Sequence, residues 1–246
     1  MGSNNWYADV TAVKWDKGNE EKRKNDKDLY SIIYRHLLAN NKNKRISMLS
    51  FPARHWVFES KLSKIVSKSG TLISVTGLEK NDEVFAKSSS YLQRVVKKEF
   101  PKNSYVLINK NASSFMKKTE ATYDLVYLDW MGTWSKDKCA QINMLFRRGL
   151  LRNPSVLIFT LFSWRGNGPE MDSLERMKDK GRVSYPIERN IYLDMTDNIE
   201  RKTYGVAEKV IYIGDKSGYD VKLRHLKMYP GTGDSPQLSF AFTVRM

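Results

Sequence analysis

The chain has 246 residues, 41% hydrophobic and 12% aromatic, which excludes a disordered polymer and allows a sizeable core. Its 42 Lys and Arg against 27 Asp and Glu leave a net charge of +15, which favours a polyanionic partner, most commonly nucleic acid. The single cysteine, Cys139, excludes an internal disulfide, reads as a buried thiol in the helix over 136–151 rather than a nucleophile, and suits the cytoplasm or another reducing compartment, and no apolar run approaches the ~20 residues of a membrane span.

Residues 1 to 44 are polar and charged. "DKGNEEKRKNDKD" (16–28) reads as a solvated, mobile run of mixed charge, and "LYSIIYRHLLANN" (29–41) as a helix that packs on the domain C-terminal to it. From residue 45 short apolar runs alternate with amphipathic ones. The strands are 45–51, 71–79, 104–109, 123–129 and 154–163. Helices are expected over 57–70, which ends at Gly70, over 82–100, which stops before Pro101, and over 136–151, with a short helix or turn from Ala112. Such alternation predicts an α/β fold: a doubly wound, mostly parallel sheet covered on both faces. The last third differs. Helices fit 171–181 and 187–201, and strands fit 207–214, 220–230 and 237–246. The turn "PGTGDSP" joins the last two strands as an antiparallel hairpin.

Ligands of open parallel sheets bind outside the carboxyl ends of the strands, so the tips carry the functional information. They read Ser50-Phe51-Pro52-Ala53-Arg54, Glu79-Lys80, Asn109-Lys110-Asn111, Asp129-Trp130-Met131-Gly132 and Ser163-Trp164-Arg165. Glu79, ending the second strand, suits two ribose hydroxyls; a helix-leading surface acid is the plain alternative. Asn109 or Asn111 suits an adenine edge, and Asp129 suits a cationic group at the other end of the same ligand.

Tips in this order resemble those of the class I S-adenosylmethionine-dependent methyltransferases, over residues 45–246. The resemblance implies a Rossmann-like domain preceded by a charged extension with a helix (1–44), and S-adenosyl-L-methionine as cofactor. It also implies that Ser50, Phe51, Pro52 and Ala53 cradle the methionine part, Glu79 holds the ribose, and Asn109 and Asn111 meet adenine. Asp129 and Trp130 would face the methyl group as catalytic residues. Two features depart from the family pattern. "SFPARHW" carries no glycine where the family has Gly-x-Gly, and Pro52 removes an amide donor. "LDWMG" is nearest to an Asp-Pro-Tyr-Gly motif, with Trp130 in place of proline.

Nucleic acid is the expected substrate, and a flipped or single-stranded base would stack on Trp130 or Trp134. Core packing of the two tryptophans is the equal alternative. Arg165, beyond the fifth strand, and Lys222 with Arg224, alternating along "VKLRHLK", are the expected phosphate contacts. That alternation puts Leu226 with Lys222 and Arg224, and His225 with Val221 and Leu223. The glycine-free loop supports a competing reading, a non-catalytic nucleic-acid-binding protein on the same scaffold. A methyltransferase for protein or small molecules is the third.

Overall fold

The structure is a computed structural model that describes residues 15–39, 45–130, 132–162, 197–230 and 236–246. In chain order, α1 (Trp15–Ile33), continued by a π-helical turn (Tyr34–Leu38), precedes β1 (Arg45–Ser50) and α2 (Val57–Ser67). Next come β2 (Leu72–Glu79) and α3 (Asp82–Tyr91), the latter extended by the turns Leu92–Val96 and Lys97–Glu99. β3 (Ser104–Asn109), α4 (Ala112–Met116), β4 (Tyr123–Asp129), α5 (Lys136–Arg147) and β5 (Leu151–Phe162) complete the alternating part. α6 (Asp197–Lys216), β6 (Asp220–Pro230) and β7 (Pro236–Arg245) close the chain.

Local chemistry sets several of these boundaries. Asn81, Asn111 and Ser135 cap α3, α4 and α5, each side chain accepting a hydrogen bond from a backbone amide of the first turn. Gly70 turns the chain after α2 at a φ of +71°, a conformation that costs glycine little.

The seven strands form one sheet in the order β3-β2-β1-β4-β5-β7-β6. β1 to β5 are parallel, and β7 lies antiparallel between β5 and β6. Register divides the core in two. Ile46, Met48, Ile73, Val75, Leu125, Tyr127, Val156 and Ile158 face one side with Leu29, Ile32 and Ile33 of α1 and Phe58, Leu62 and Val66 of α2. Leu49, Val126, Leu128, Leu157, Phe159, Phe240 and Phe242 face the other, against Ile142 and Leu145 of α5 and Ala207 and Val210 of α6. These runs are apolar throughout because both faces are covered.

Four expectations change. The charge run 16–28 is not a mobile segment: it is the first half of α1, with Asn25 and Asp26 buried against the sheet. Residues 207–214 are helix, not strand, because Tyr204, Ala207, Val210 and Ile211 recur at helical spacing on the buried side of α6. A β-bulge between Leu223 and His225 reverses the alternation of β6. Leu226 therefore joins Val221 and Leu223 in the core under α6, while His225 turns toward α1. Cys139, expected as a buried thiol, is only half-buried. The helix expected over 171–181, the first part of that over 187–201, and the hairpin turn 231–235 lie outside the described residues.

Candidate active site

Parallel register fixes what each strand presents at its carboxyl end. Ser50 is level with Gly77 on one side and Tyr127 on the other. Two residues farther on, Glu79 ends β2 and Asp129 ends β4, on the α1 side of the sheet by strand alternation. With β1 between them, the two carboxylates stand two strand spacings apart, roughly 10 Å. The row continues outward: Asp129 is level with Thr160, Thr160 with Ser239, and Ser239 with Lys227.

Glu79 is half-buried, and its Oε1 accepts the Asn81 amide at 2.8 Å. Asn109, level with it on β3, is exposed and donates to Asp82 at 2.5 Å. Asn111 is exposed too, but its side-chain oxygen caps α4 by accepting the Ser113 and Ser114 amides.

The glycine missing from the first loop reappears beneath it, on β2. A Cβ on Gly77 would stand 2.8 Å from both Pro52 and the Trp56 ring. This gap lets the loop sink against the sheet. Trp56 is fully buried at a φ of +49°, strained for a tryptophan, and its indole N–H donates to Ser88 at 2.7 Å. Pro52 and Ser50 are buried, Phe51 is half-buried, and Ala53 is exposed on the outer side. Ser50 Oγ donates to Glu59, a buried carboxyl in the first turn of α2. Burial pushes Glu59 up to about 7, against the opposing hydrogen bond from Ser50.

Asp129 accepts a hydrogen bond from Thr160, and its other oxygen lies 3.6 Å from Lys22 of α1. That carboxylate holds the Lys22 ammonium above its ordinary range, against the effect of burial. One turn along α1, Asp26 is 3% exposed and 3.9 Å from Lys61. Burial raises Asp26 to about 6, while Lys22 and Lys61 pull the other way. The tip of β4 is thus a junction of three carboxyls and a lysine, under the amino-terminal half of α1.

Trp130 does not open onto this edge. It is 7% exposed, donates its indole N–H to Gln141 at 3.0 Å, and packs on Phe159 and edge-on to Trp134. Trp134 is half-buried against the same cluster. Lys222 and Arg224 are not brought to the site either. They lie toward the opposite end of the sheet, where Lys222 pairs with Asp220 at 3.3 Å and Arg224 donates to Thr243 at 3.0 Å. Arg165 is outside the described residues.

Lys22, Asp26, Glu59, Thr160, Ser239 and Tyr229 were not anticipated. For two of them a signal existed. Glu59 lies three positions before Leu62 on the apolar stripe of its helix, and Asp26 continues the Tyr30–Ile33–Leu37 stripe toward the N-terminus. A carboxylate on a buried stripe needs partners, and partners mark a site.

No family model matches the sequence, and no curated protein matches it. Solved structures do. Trm5b from Pyrococcus abyssi superposes with a TM-score of 0.52 at 12% identity, over 91% of this chain and 48% of that one. A provisionally named sarcosine dimethylglycine methyltransferase from Galdieria sulphuraria superposes with a TM-score of 0.52 at 11% identity, over 92% of this chain and 87% of that one. The chain spans about half the length of the Pyrococcus protein. Together with the strand order and the reversed β7, these likenesses show that the chain has the fold of the class I S-adenosylmethionine-dependent methyltransferases.

Proposed function

We propose that the protein is an S-adenosylmethionine-dependent methyltransferase that acts on nucleic acid, RNA or DNA. The observation that carries the reading is the row of tips in which Glu79 and Asp129 share one face of the sheet, with β1 between them. The residues present fit the cofactor. Glu79 would hold the ribose hydroxyls and Asn109 the adenine edge, with Asn111 fixing the start of α4 beside it. Ala53 is the small, exposed part of the first loop that a ligand can approach, while Ser50, Phe51 and Pro52 form the floor beneath it. The net charge of +15 supports a polyanionic substrate, and a lone cysteine suits a reducing compartment.

S-adenosylmethionine brings a methyl group already activated on a sulfonium, so the protein's task is alignment. Asp129 is steadied at one oxygen by Thr160. Its other oxygen, now facing Lys22, orients the incoming nucleophile and holds its proton once the lysine swings aside. Trp130 and Trp134 act behind it, fixing the loop after β4. Lys222 and Arg224, and Arg165 beyond β5, would contact phosphates away from the reacting atoms.

Calorimetric titration with S-adenosylmethionine and with its demethylated product tests the reading. Wild type is expected to bind both, and Glu79→Ala to weaken them at least about tenfold, since a ribose diol loses its two-oxygen acceptor. Asp129→Asn is expected to keep the product's affinity but to slow methyl transfer to pooled RNA and DNA by about 10²-fold or more. A wild type that binds neither compound would sink the proposal. The sunken first loop, closed underneath by Pro52 and Trp56, favours a second reading: a nucleic-acid-binding protein that uses the scaffold without chemistry. The same titration separates the two.

A further inference from the structure

α1 crosses the sheet on the far side of Asp129 from Glu79, and its two halves are held differently. Leu29, Ile32 and Ile33 anchor its second half in the core. The first half is held by polar ties: Lys22 to Asp129, Asp26 to Lys61, the Asn25 side chain to His225 Nε2 at 2.8 Å, and Asp28 to Lys227 at 3.8 Å. Beneath these ties lie three buried polar atoms without a hydrogen-bond partner among the described residues: Asp26 Oδ1, Tyr229 Oη and Ser239 Oγ. Their residues are 3%, 2% and 0% exposed. Ser239 is level with Thr160, and Tyr229 is two residues beyond Lys227, its neighbour on β6, on the same face. Asp129 and Asp26 both lie close enough to Tyr229 to add to the upward push that burial gives its phenol. Buried polar groups are nearly always paired, and leaving one unpaired destabilises the fold. Three such groups on the α1 face of neighbouring elements, beside Asp129, point to a ligand that supplies the missing partners.

The surrounding chemistry narrows that ligand. Asp129, and Asp26 above about 6, repel an anionic acceptor such as a carboxylate or a phosphate. Burial raises the Asp26 carboxyl and Asp129 is near enough to add to the rise, so a ligand lodged between the two meets two carboxyl groups that call for N–H donors. The Tyr229 and Ser239 hydroxyls can give a hydrogen bond to an adjacent acceptor. The amino edge of cytosine or adenine has this pattern, an NH₂ beside a ring nitrogen. Uracil offers a single ring N–H between carbonyls, and one of those would meet a carboxylate.

We propose that the buried polar layer between the first half of α1 and β5, β7 and β6 is the acceptor subsite, opened when α1 lifts, and that it takes a nucleobase with an exocyclic amine. The amine faces Asp129 and Asp26, and the Tyr229 and Ser239 hydroxyls read the neighbouring ring atom. This assignment rests on the methyltransferase reading and names its substrate class. Glu79 and Asp129 mark the cofactor's side of the row; Thr160, Ser239 and Tyr229 mark the acceptor's. The base enters when the polar half of α1 lifts, and the apolar half stays in place as the hinge.

The test uses the full chain saturated with S-adenosylhomocysteine, titrated with cytidine, adenosine and uridine and followed by saturation-transfer NMR. At least one amino nucleoside should bind about tenfold tighter than uridine, the discrimination that one well-made hydrogen bond supplies. Tyr229→Phe and Ser239→Ala should each weaken that binding about fivefold or more, with S-adenosylhomocysteine affinity kept within about twofold. Both substitutions delete atoms that have no partner, so both variants should melt at or above the wild-type temperature, and lost binding cannot be put down to misfolding. The proposal is overturned if neither amino nucleoside binds, if uridine binds as well, or if both variants bind like wild type. Failure of S-adenosylhomocysteine to bind wild type would instead remove the methyltransferase reading, and the same nucleoside titration on the free protein would still decide whether the layer under α1 takes a base.

Discussion

Glu59 shows how one buried group can tie the fold to pH. It is 1% exposed, faces the Ser50 hydroxyl at the end of β1, and holds its proton up to about 7 because burial disfavours the charged form. In the unfolded chain the same carboxyl titrates at its usual 4.5. Between those values the folded state binds more protons, so the stability Glu59 contributes is complete below 4.5 and is lost as pH rises through about 7. The loss amounts to about 3 kcal/mol. His225 has the opposite sign. Burial pushes it down to about 4 from 6.5, so its contribution is present above 6.5 and lost as pH falls through about 4. A single stability curve therefore mixes the two. Glu59→Gln separates them: denaturant melts at pH 4 and pH 8 should show the variant gaining about 3 kcal/mol on wild type as pH rises. Parallel curves would mean that the carboxyl is ionised in the folded protein at neutral pH.

At the scale of the element, α6 shows where tertiary packing overrides a local signal. "VIYI" within 207–214 is β-branched and aromatic, a strand by composition. The helical spacing of Tyr204, Ala207, Val210 and Ile211 on the packed side decides for helix, and Gly214 lets that packing close up: a Cβ there would come within 2.2 Å of Val221 on β6 and 3.2 Å of Phe146 on α5. The glycine lets the end of the helix lie directly on the sheet. Gly214→Ala should cost about 1–3 kcal/mol despite alanine's better helix propensity, because the new methyl meets packed side chains. In a double-mutant cycle, Val221→Ala should cost less on top of Gly214→Ala than in wild type; equal costs would show that the two residues do not compete for space. The same contrast explains which elements were legible. β3 and β4 have their expected bounds, 104–109 and 123–129, because each is an apolar run closed by a polar tip. The direction of His225 and Leu226 was not legible, since the bulge in β6 answers to its pairing with β7 rather than to its own residues. Nor was the burial of Asn25, in a run whose charges read as solvated, because its partner, His225, stands far away in sequence.

Over the whole molecule, the sequence located the edge where chemistry is expected but not where the charge lies relative to it. Glu79 and Asp129 end their strands at one edge, as the tips implied. Lys222 and Arg224 are near the start of β6, at the other edge, because β6 runs in the same direction as β4 while the sequence orders residues only along each strand. Arg35 and Arg245 join Arg224 there, and all three disfavour protonation of His36, whose pKa is lowered chiefly by burial. Lys227, level with Asp129, is five residues along β6 from Lys222, roughly 16 Å at about 3.3 Å per residue, and β6 lies three strand spacings, roughly 14 Å, from β4, which puts the basic cluster about 20 Å from Asp129. A nucleic acid gripped at the cluster must therefore extend past the edge of β6 to place a base at Asp129. Chain length becomes the variable to change. A single-stranded oligonucleotide of about 15 nucleotides should lose affinity steeply with salt, and Arg224→Ala should reduce the slope of log affinity against log salt by about one unit. A trinucleotide, too short to reach both places, should be insensitive to the substitution. Loss of affinity for both lengths alike would put the cluster and the acceptor in one site; loss for neither would leave the basic edge without a part in binding.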